Sequence, residues 1–250
     1  MHYIVLDFEW NQPLSEKEMI MEPFPFDSEI IEIGAVKLDE SFHSVDEFKT
    51  FIRPQFYPHM SGAIVQLTKI RPQELEKAPS FPEAFDTFID WCGDDCALCS
   101  WGPDDIPVLL DNMLLHGIPI EPFPYCYDLQ RIFARELLRE NRQCSLSDAM
   151  KMLKLPADRA HDALNDTRNT VRVCERMDLA GCIEEYRTTF VGYESDRKSG
   201  LITGLIYPSL DAALADTRVN EIICPYCGEQ VALTLSPQDG NTLFGYGVCR

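Results

Sequence analysis

Ile4-Val5-Leu6-Asp7-Phe8-Glu9-Trp10 decides how the rest of the chain is read. A short apolar run ends in two carboxylates one residue apart. Side chains of a β-strand alternate between its faces, so on a strand Asp7 and Glu9 point the same way and Phe8 points the other. Two acids about 7 Å apart on one face repel each other. A divalent cation is the simplest compensation. The plainer alternative is an exposed strand end with two solvated acids.

Working outward, residues 2–7 read as a first strand, and Asn11 to Asp27, with three prolines and several acids, as a loop. Ser28 to Leu38 is β-branched and partly alternating, Asp39 to Ser41 is a turn, and Phe42 to Ile52 is a third strand ended by Arg53-Pro54. Three strands with short turns predict an antiparallel meander. A helix follows over 79–92, with Ser80 and Glu83 spaced as a capping box and Phe81, Phe85, Phe88 and Trp91 or Cys92 on one face. Ala97 to Trp101 is a short buried strand, and Asp105 to Leu115 a helix stopped by His116-Gly117 and Pro119. Tyr125 to Tyr127 is a last strand, followed by helices over 129–139 and 145–153. The final helix is expected from Asp162 to about Tyr186. Ala163, Asp166, Thr170, Val173 and Met177 share its apolar stripe, which aims Asp166 at the sheet. This order predicts an α/β domain with a mixed central sheet.

Two further stretches bear on chemistry: Ser100-Trp101-Gly102-Pro103-Asp104-Asp105-Ile106 and Ala160-His161-Asp162-Ala163-Leu164-Asn165-Asp166-Thr167. An acid-x-acid strand, an Asp after a strand-like run and His-x-x-x-x-Asp entering a helix stand in that order. The pattern resembles the DEDDh (DnaQ-like) family of 3′-to-5′ exonucleases and covers roughly residues 1–186. The resemblance implies a ribonuclease H-like fold, with three antiparallel strands then parallel ones, flanked by helices. It also implies two Mg²⁺ or Mn²⁺ ions held by Asp7, Glu9, Asp105 and Asp166, with Asp7 bridging both. Hard oxygen donors suit those ions, and four carboxylates in one cavity are costly without them.

His161 is the expected general base, since an imidazole titrates near neutrality. It lies five residues before Asp166, too far round for the same helix face, and so belongs to the loop before the helix. Asp104 and Asp105 compete for the third acid. Asp105 is preferred because similar sequences place apolar residues four and five positions on, here Leu109 and Leu110. Leu67, Thr68 and Ile70 look like the family's Leu-Thr-x-Ile segment against the terminal nucleotide, and Trp10 follows the acid pair where an aromatic would stack on a base or fill the core. The family's Thr- or Ser-rich follow-up to the acid pair is absent here.

The closest likeness is to the RNA-trimming branch, which includes the histone mRNA 3′-end exonuclease. The expected activity is release of nucleoside 5′-monophosphates from a single-stranded 3′ end, RNA before DNA. Two alternatives stand beside it: a DNA-directed proofreading or repair exonuclease, and a non-catalytic nucleic-acid-binding adaptor.

At 250 residues with 45% hydrophobic and 10% aromatic content, the chain suits one sizeable domain with an appendage. No run of 18 apolar residues predicts a membrane span, and Met1-His2-Tyr3 enters a strand without a basic leader, so a cytoplasmic protein is expected. The ten cysteines then read as reduced thiols, with Cys92, Cys174 and Cys182 in apolar runs. A net charge of −19 is unusual for a nucleic-acid binder. Residues 131–176, however, hold ten Lys or Arg against seven Asp or Glu and carry +3, so the remainder carries −22. This stretch is a candidate footprint for nucleic acid, or else a pair of solvated helix faces.

Residues 187–220 read as a connector with a short helix over 210–214. In the tail, over 221–250, Cys224-Pro225-Tyr226-Cys227-Gly228 has the turn of a zinc knuckle, and Cys249 follows 22 residues after Cys227. That supplies three of the four ligands of a structural Zn²⁺, an incomplete zinc-ribbon-like tail. The alternative is a hairpin without metal.

Overall fold

The computed structural model describes residues 1–21, 25–118, 124–140 and 142–186, and the backbone of short strands between 193 and 246. Five strands form one sheet: β1 (His2–Asn11), β2 (Glu29–Leu38), β3 (Ser44–Phe51), β4 (Cys96–Ser100) and β5 (Tyr125–Asp128). Their spatial order is β3-β2-β1-β4-β5. β1 to β3 pair antiparallel, whereas β4 and β5 run parallel to β1. This is the mixed sheet of a ribonuclease H-like fold, with β1 at its centre.

Helices cover both faces. They are α1 (Gly62–Thr68), α2 (Pro72–Leu75), α3 (Phe81–Cys92), α4 (Asp105–Leu115), α5 (Leu129–Ile132), α6 (Leu146–Met152), α7 (Ala163–Cys174) and α8 (Leu179–Cys182). On one face Phe48 of β3 packs on Phe88 and Trp91 of α3, each at 5.4 Å between ring centroids. On the other, Tyr3, Val5, Val36 and Leu38 join Val171, Val173 and Cys174 of α7 in a single core. Local signals start these helices. Ser80 N–H donates to Glu83 at 2.8 Å before α3, and Ser145 Oγ accepts from Asp148 N–H before α6.

The structure departs from the sequence expectations where a side chain intervenes. β1 runs on through the acid pair to Asn11, because Trp10 and Asn11 still pair with Ile30 and Glu29 beyond a bulge. β3 starts at Ser44 rather than Phe42. Asp39 Oδ1 accepts from Ser41 and His43 N–H and tightens the turn, and Phe42 adopts a left-handed φ of 62° with its ring on Tyr3. The helix expected over 129–139 becomes a π-turn over Phe133–Leu137. The helix expected to reach Tyr186 ends at Cys174. Asp178 caps a new helix, accepting from Gly181 N–H, and Ile183–Tyr186 is a 3-10 turn.

The chain divides into Met1–Thr188 and Thr189–Arg250. The described backbone of the second unit consists of three antiparallel pairs: β6 (Tyr193–Asp196) with β7 (Leu201–Thr203), β8 (Glu221–Ile223) with β9 (Gln230–Ala232), and β10 (Thr234–Gln238) with β11 (Thr242–Tyr246). The expected connector over 187–220 thus contains the β6–β7 ladder. The expected helix over 210–214 and Cys224, Cys227 and Cys249 lie outside the described residues. No disulfide forms among the described cysteines, and no described helix is long and apolar enough to cross a membrane.

Candidate active site

Register builds the site. Asp7 lies opposite Gly34, and Glu9 opposite Glu32, so all four stand on one face of the sheet. The N-terminus of α7 comes down on that face. A Cβ on Gly34 would stand 2.2 Å from the backbone of Ala163 and Leu164, so only glycine admits the helix there. Thr167 Oγ1 fastens the contact between the carbonyls of Gly34 (3.1 Å) and Ala163 (2.7 Å). Asp162 caps α7 by accepting from Asn165 N–H.

Asp166, in the first turn of α7, thereby reaches the acid pair. Its carboxylate accepts from His161 N–H at 2.7 Å, and His161 adopts a left-handed φ of 60° in the segment before the helix. One ligand atom each from Glu9, His161 and Asp166 lie within 4.8 Å of one another. Asp105 opens α4 and approaches from the parallel side of the sheet. It is 6% exposed, and its Oδ1 accepts from Phe8 N–H, between the two acids of β1. Asp104, in contrast, is exposed and stands at the N-cap of α4 without a side-chain capping bond.

Asp7 and Glu9 lack compensation, and Asp105 and Asp166 have little of it. Burial pushes Asp7 well above the usual carboxylate range, and Asp105, Asp166, Glu9 and Glu32 push it further. Burial raises Glu9 to about 8, with Glu32, Asp166 and Asp105 adding to it. Burial takes Asp105 to about 7 against the pull of Phe8 N–H, and it also raises Asp166 against the pull of His161 N–H. Among the largest influences on Asp7 and Glu9 there is no donor and no cation. Hard, buried, mutually repelling oxygens of this kind fit a divalent ion such as Mg²⁺ or Mn²⁺.

Three neighbours escaped the sequence reading. Glu32 is 1% exposed, and burial raises it while Lys49 pulls it back. Lys49 of β3 stands 2.6 Å from Glu32 and 2.8 Å from Asp162. Burial opposes the charge on Lys49, but those two carboxylates outweigh it and hold the ammonium above its ordinary value. The sequence carries no local sign of this trio. It follows only from the pairing of β2 with β1 and β3.

The positions expected to meet substrate diverge. Trp10 is half-buried at the bulge of β1, and Leu67 is 50% exposed. Thr68 and Ile70 turn into the fold. Thr68 Oγ1 donates to Ile64 O and accepts from Ile70 N–H, while Ile70 packs on Ile31 and Leu75. The left-handed C-cap at Lys69 (φ 65°) causes that inward turn. In the basic stretch, Arg139, Arg142, Lys151, Arg159, Arg168 and Arg172 each pair with an acid, which favours the reading of solvated helix faces.

A mixed β3-β2-β1-β4-β5 sheet with acids on its central strand defines the ribonuclease H-like class. Within that class, the model of the RNase_T family, described as Exonuclease, matches residues 4–174, and the chain belongs to that family. Among its relatives, human 3′-5′ exoribonuclease 1 is 25% identical over 171 residues, covering 64% of this chain and 49% of that protein. Human ERI1 exoribonuclease 2 is 24% identical over 214 residues, covering 73% of this chain and 29% of the relative. The chain thus spans half or less of the length of these relatives. A solved nuclease domain of 3′hExo, a DEDDh family member bound to rAMP, superposes with a TM-score of 0.62 at 25% identity, over 72% of this chain and 93% of that one. DEDDh exonucleases use divalent metals, in keeping with the donor set found here.

Proposed function

We propose that this chain is a metal-dependent 3′-to-5′ exonuclease that trims single-stranded RNA to nucleoside 5′-monophosphates. The observation that carries the proposal is the convergence of four carboxylates, Asp7 and Glu9 with no donor among their main influences and Asp105 and Asp166 with one backbone N–H each, with His161 beside Glu9 and Asp166. The names of the two exoribonuclease relatives favour RNA over DNA.

Asp7, Glu9, Asp105 and Asp166 would hold two Mg²⁺ or Mn²⁺. Such ions activate water and neutralise charge on the leaving oxygen of a phosphodiester. Phe8 N–H orients the carboxylate of Asp105, and His161 N–H orients that of Asp166. The imidazole of His161 takes the proton of the attacking water as general base. Trp10 and the exposed Leu67 supply apolar surface for the terminal nucleotide. Thr68 and Ile70 shape that surface from within.

The domain boundaries proposed are an exonuclease domain over 1–186, a connector over 187–220 and a tail over 221–250. Cys224, Cys227 and Cys249 of the tail would supply three ligands to a structural Zn²⁺, which metal analysis of the purified chain would count.

The test is degradation of 3′- and 5′-labelled single-stranded RNA and DNA of identical sequence with Mg²⁺, Mn²⁺ or EDTA. Metal-dependent shortening from the 3′ end, faster on RNA, supports the proposal. Faster DNA turnover transfers it to the DNA-directed reading. No degradation by the folded chain refutes it in favour of a binding module.

A further inference from the structure

Lys49 occupies a distinctive place. It sits on the edge strand β3, opposite Gly34, so it shares a cross-strand row with Gly34 and Asp7. That row is where α7 descends, and where Gly34 leaves room for the backbone of Ala163. The lysine side chain runs along this face and is only 32% exposed. Its Nζ meets Glu32 Oε1 at 2.6 Å and Asp162 Oδ2 at 2.8 Å. Glu32 is the cross-strand partner of Glu9, and Asp162 is the chain neighbour of His161 and the N-cap of α7.

A buried carboxylate beside Glu9 would add to the repulsion already present there. An ammonium at 2.6 Å offsets it, and a second carboxylate on the same ammonium ties two separate segments together. Two strands, β3 and β2, and one helix terminus therefore meet through one side chain. Arg159 also approaches Asp162, but at 3.6 Å and from a 59% exposed position, so it tethers far less than Lys49.

We infer that Lys49 is a positioning residue, whose ammonium, shared between Glu32 and Asp162, pins the His161 segment over the acidic face and neutralises Glu32 beside Glu9. It touches neither substrate nor a reacting atom. Its consequence for turnover rests on the exonuclease reading above, whereas its hold on residues 160–166 does not.

The test uses the full chain carrying Lys49→Met, Lys49→Arg or Asp162→Asn. Asn keeps a capping oxygen but gives up the ion pair. Amide hydrogen exchange of residues 160–166, measured without added metal, should speed up about tenfold in Lys49→Met, less in Asp162→Asn, and return towards wild type in Lys49→Arg. On labelled RNA, kcat should fall on the order of tenfold or more in Lys49→Met, with KM within about threefold, because misplacing a catalytic group costs rate rather than binding. Folded Lys49→Met and Asp162→Asn proteins with wild-type exchange overturn the inference. A kcat loss in Lys49→Met that Lys49→Arg fails to restore also overturns it. If Lys49→Met does not fold, Asp162→Asn decides alone. If the wild type degrades nothing, the exonuclease reading fails, while hydrogen exchange still decides the role of Lys49.

Discussion

Glu29 and Glu9 lie two steps apart in one β-ladder, and the protein treats them in opposite ways. Glu29, opposite Asn11, is 2% exposed and accepts N–H bonds from Gln55, Phe56 and Tyr57. Burial raises it, and the three donors pull it back. Those bonds fix the loop after β3, which Asn11 further holds through Tyr57 O and His59 O. Glu9, opposite Glu32, is 8% exposed, and its main neighbours are other acids. A buried carboxylate with three donors is a strut. One with none is a cost the fold accepts for a task elsewhere, and the task proposed here is to hold a cation.

The largest effect that sharpens this contrast is expected at His161. His161→Ala should lose about 10²–10⁴-fold in kcat. Metal affinity, followed by calorimetric titration, should stay within a few-fold; a collapse in affinity would make His161 a ligand instead of the base.

Next comes pH. The folded-state pKa of Glu9 is about 8, against roughly 4.3 for a free glutamate. Between those values the folded chain holds the Glu9 proton more tightly than the unfolded one, so without metal the contribution of Glu9 to stability is fully present below about pH 4.3 and is lost as pH rises through 8. Chemical denaturation with EDTA across that range should show a decline on the order of a few kcal/mol, which saturating Mn²⁺ flattens. A flat profile in EDTA would mean that the acidic cluster is already compensated.

Glu29→Ala should behave in the reverse sense. Orphaning three N–H donors should cost about 2–3 kcal/mol at any pH where Glu29 is charged, with no change in metal affinity. Gly34→Ala should cost about 1–3 kcal/mol, since its Cβ has no room beneath α7. Its melting temperature and its kcat should fall together, as the displaced helix carries Asp166.

The contrast also explains what the sequence could reveal. Strand alternation placed Asp7 and Glu9 on one face and the Ser80–Glu83 spacing started α3, both local signals of period and cap. The preference for buried Asp105 over exposed Asp104 came instead from the family resemblance, through Leu109 and Leu110. Glu32 and Lys49 stayed hidden because the importance of each lies in a partner on another strand. Thr68 and Ile70, expected against the terminal nucleotide, are buried because a single left-handed residue, Lys69, turns the chain inward. The sequence does not show the end of α7 because Met177 keeps the apolar stripe in phase past Cys174, where the helix stops just before Asp178 caps a new one.

On the proposed reading, the acids of β1 repel one another until a divalent ion joins them. Thermal melting of wild type and Asp7→Asn, in EDTA and in excess Mn²⁺, tests it directly. A crossover is expected: Asp7→Asn melts higher in EDTA because a charge is gone, and wild type melts higher in Mn²⁺ because it alone binds fully. Wild type melting above Asp7→Asn in EDTA, with no gain from Mn²⁺, would contradict it.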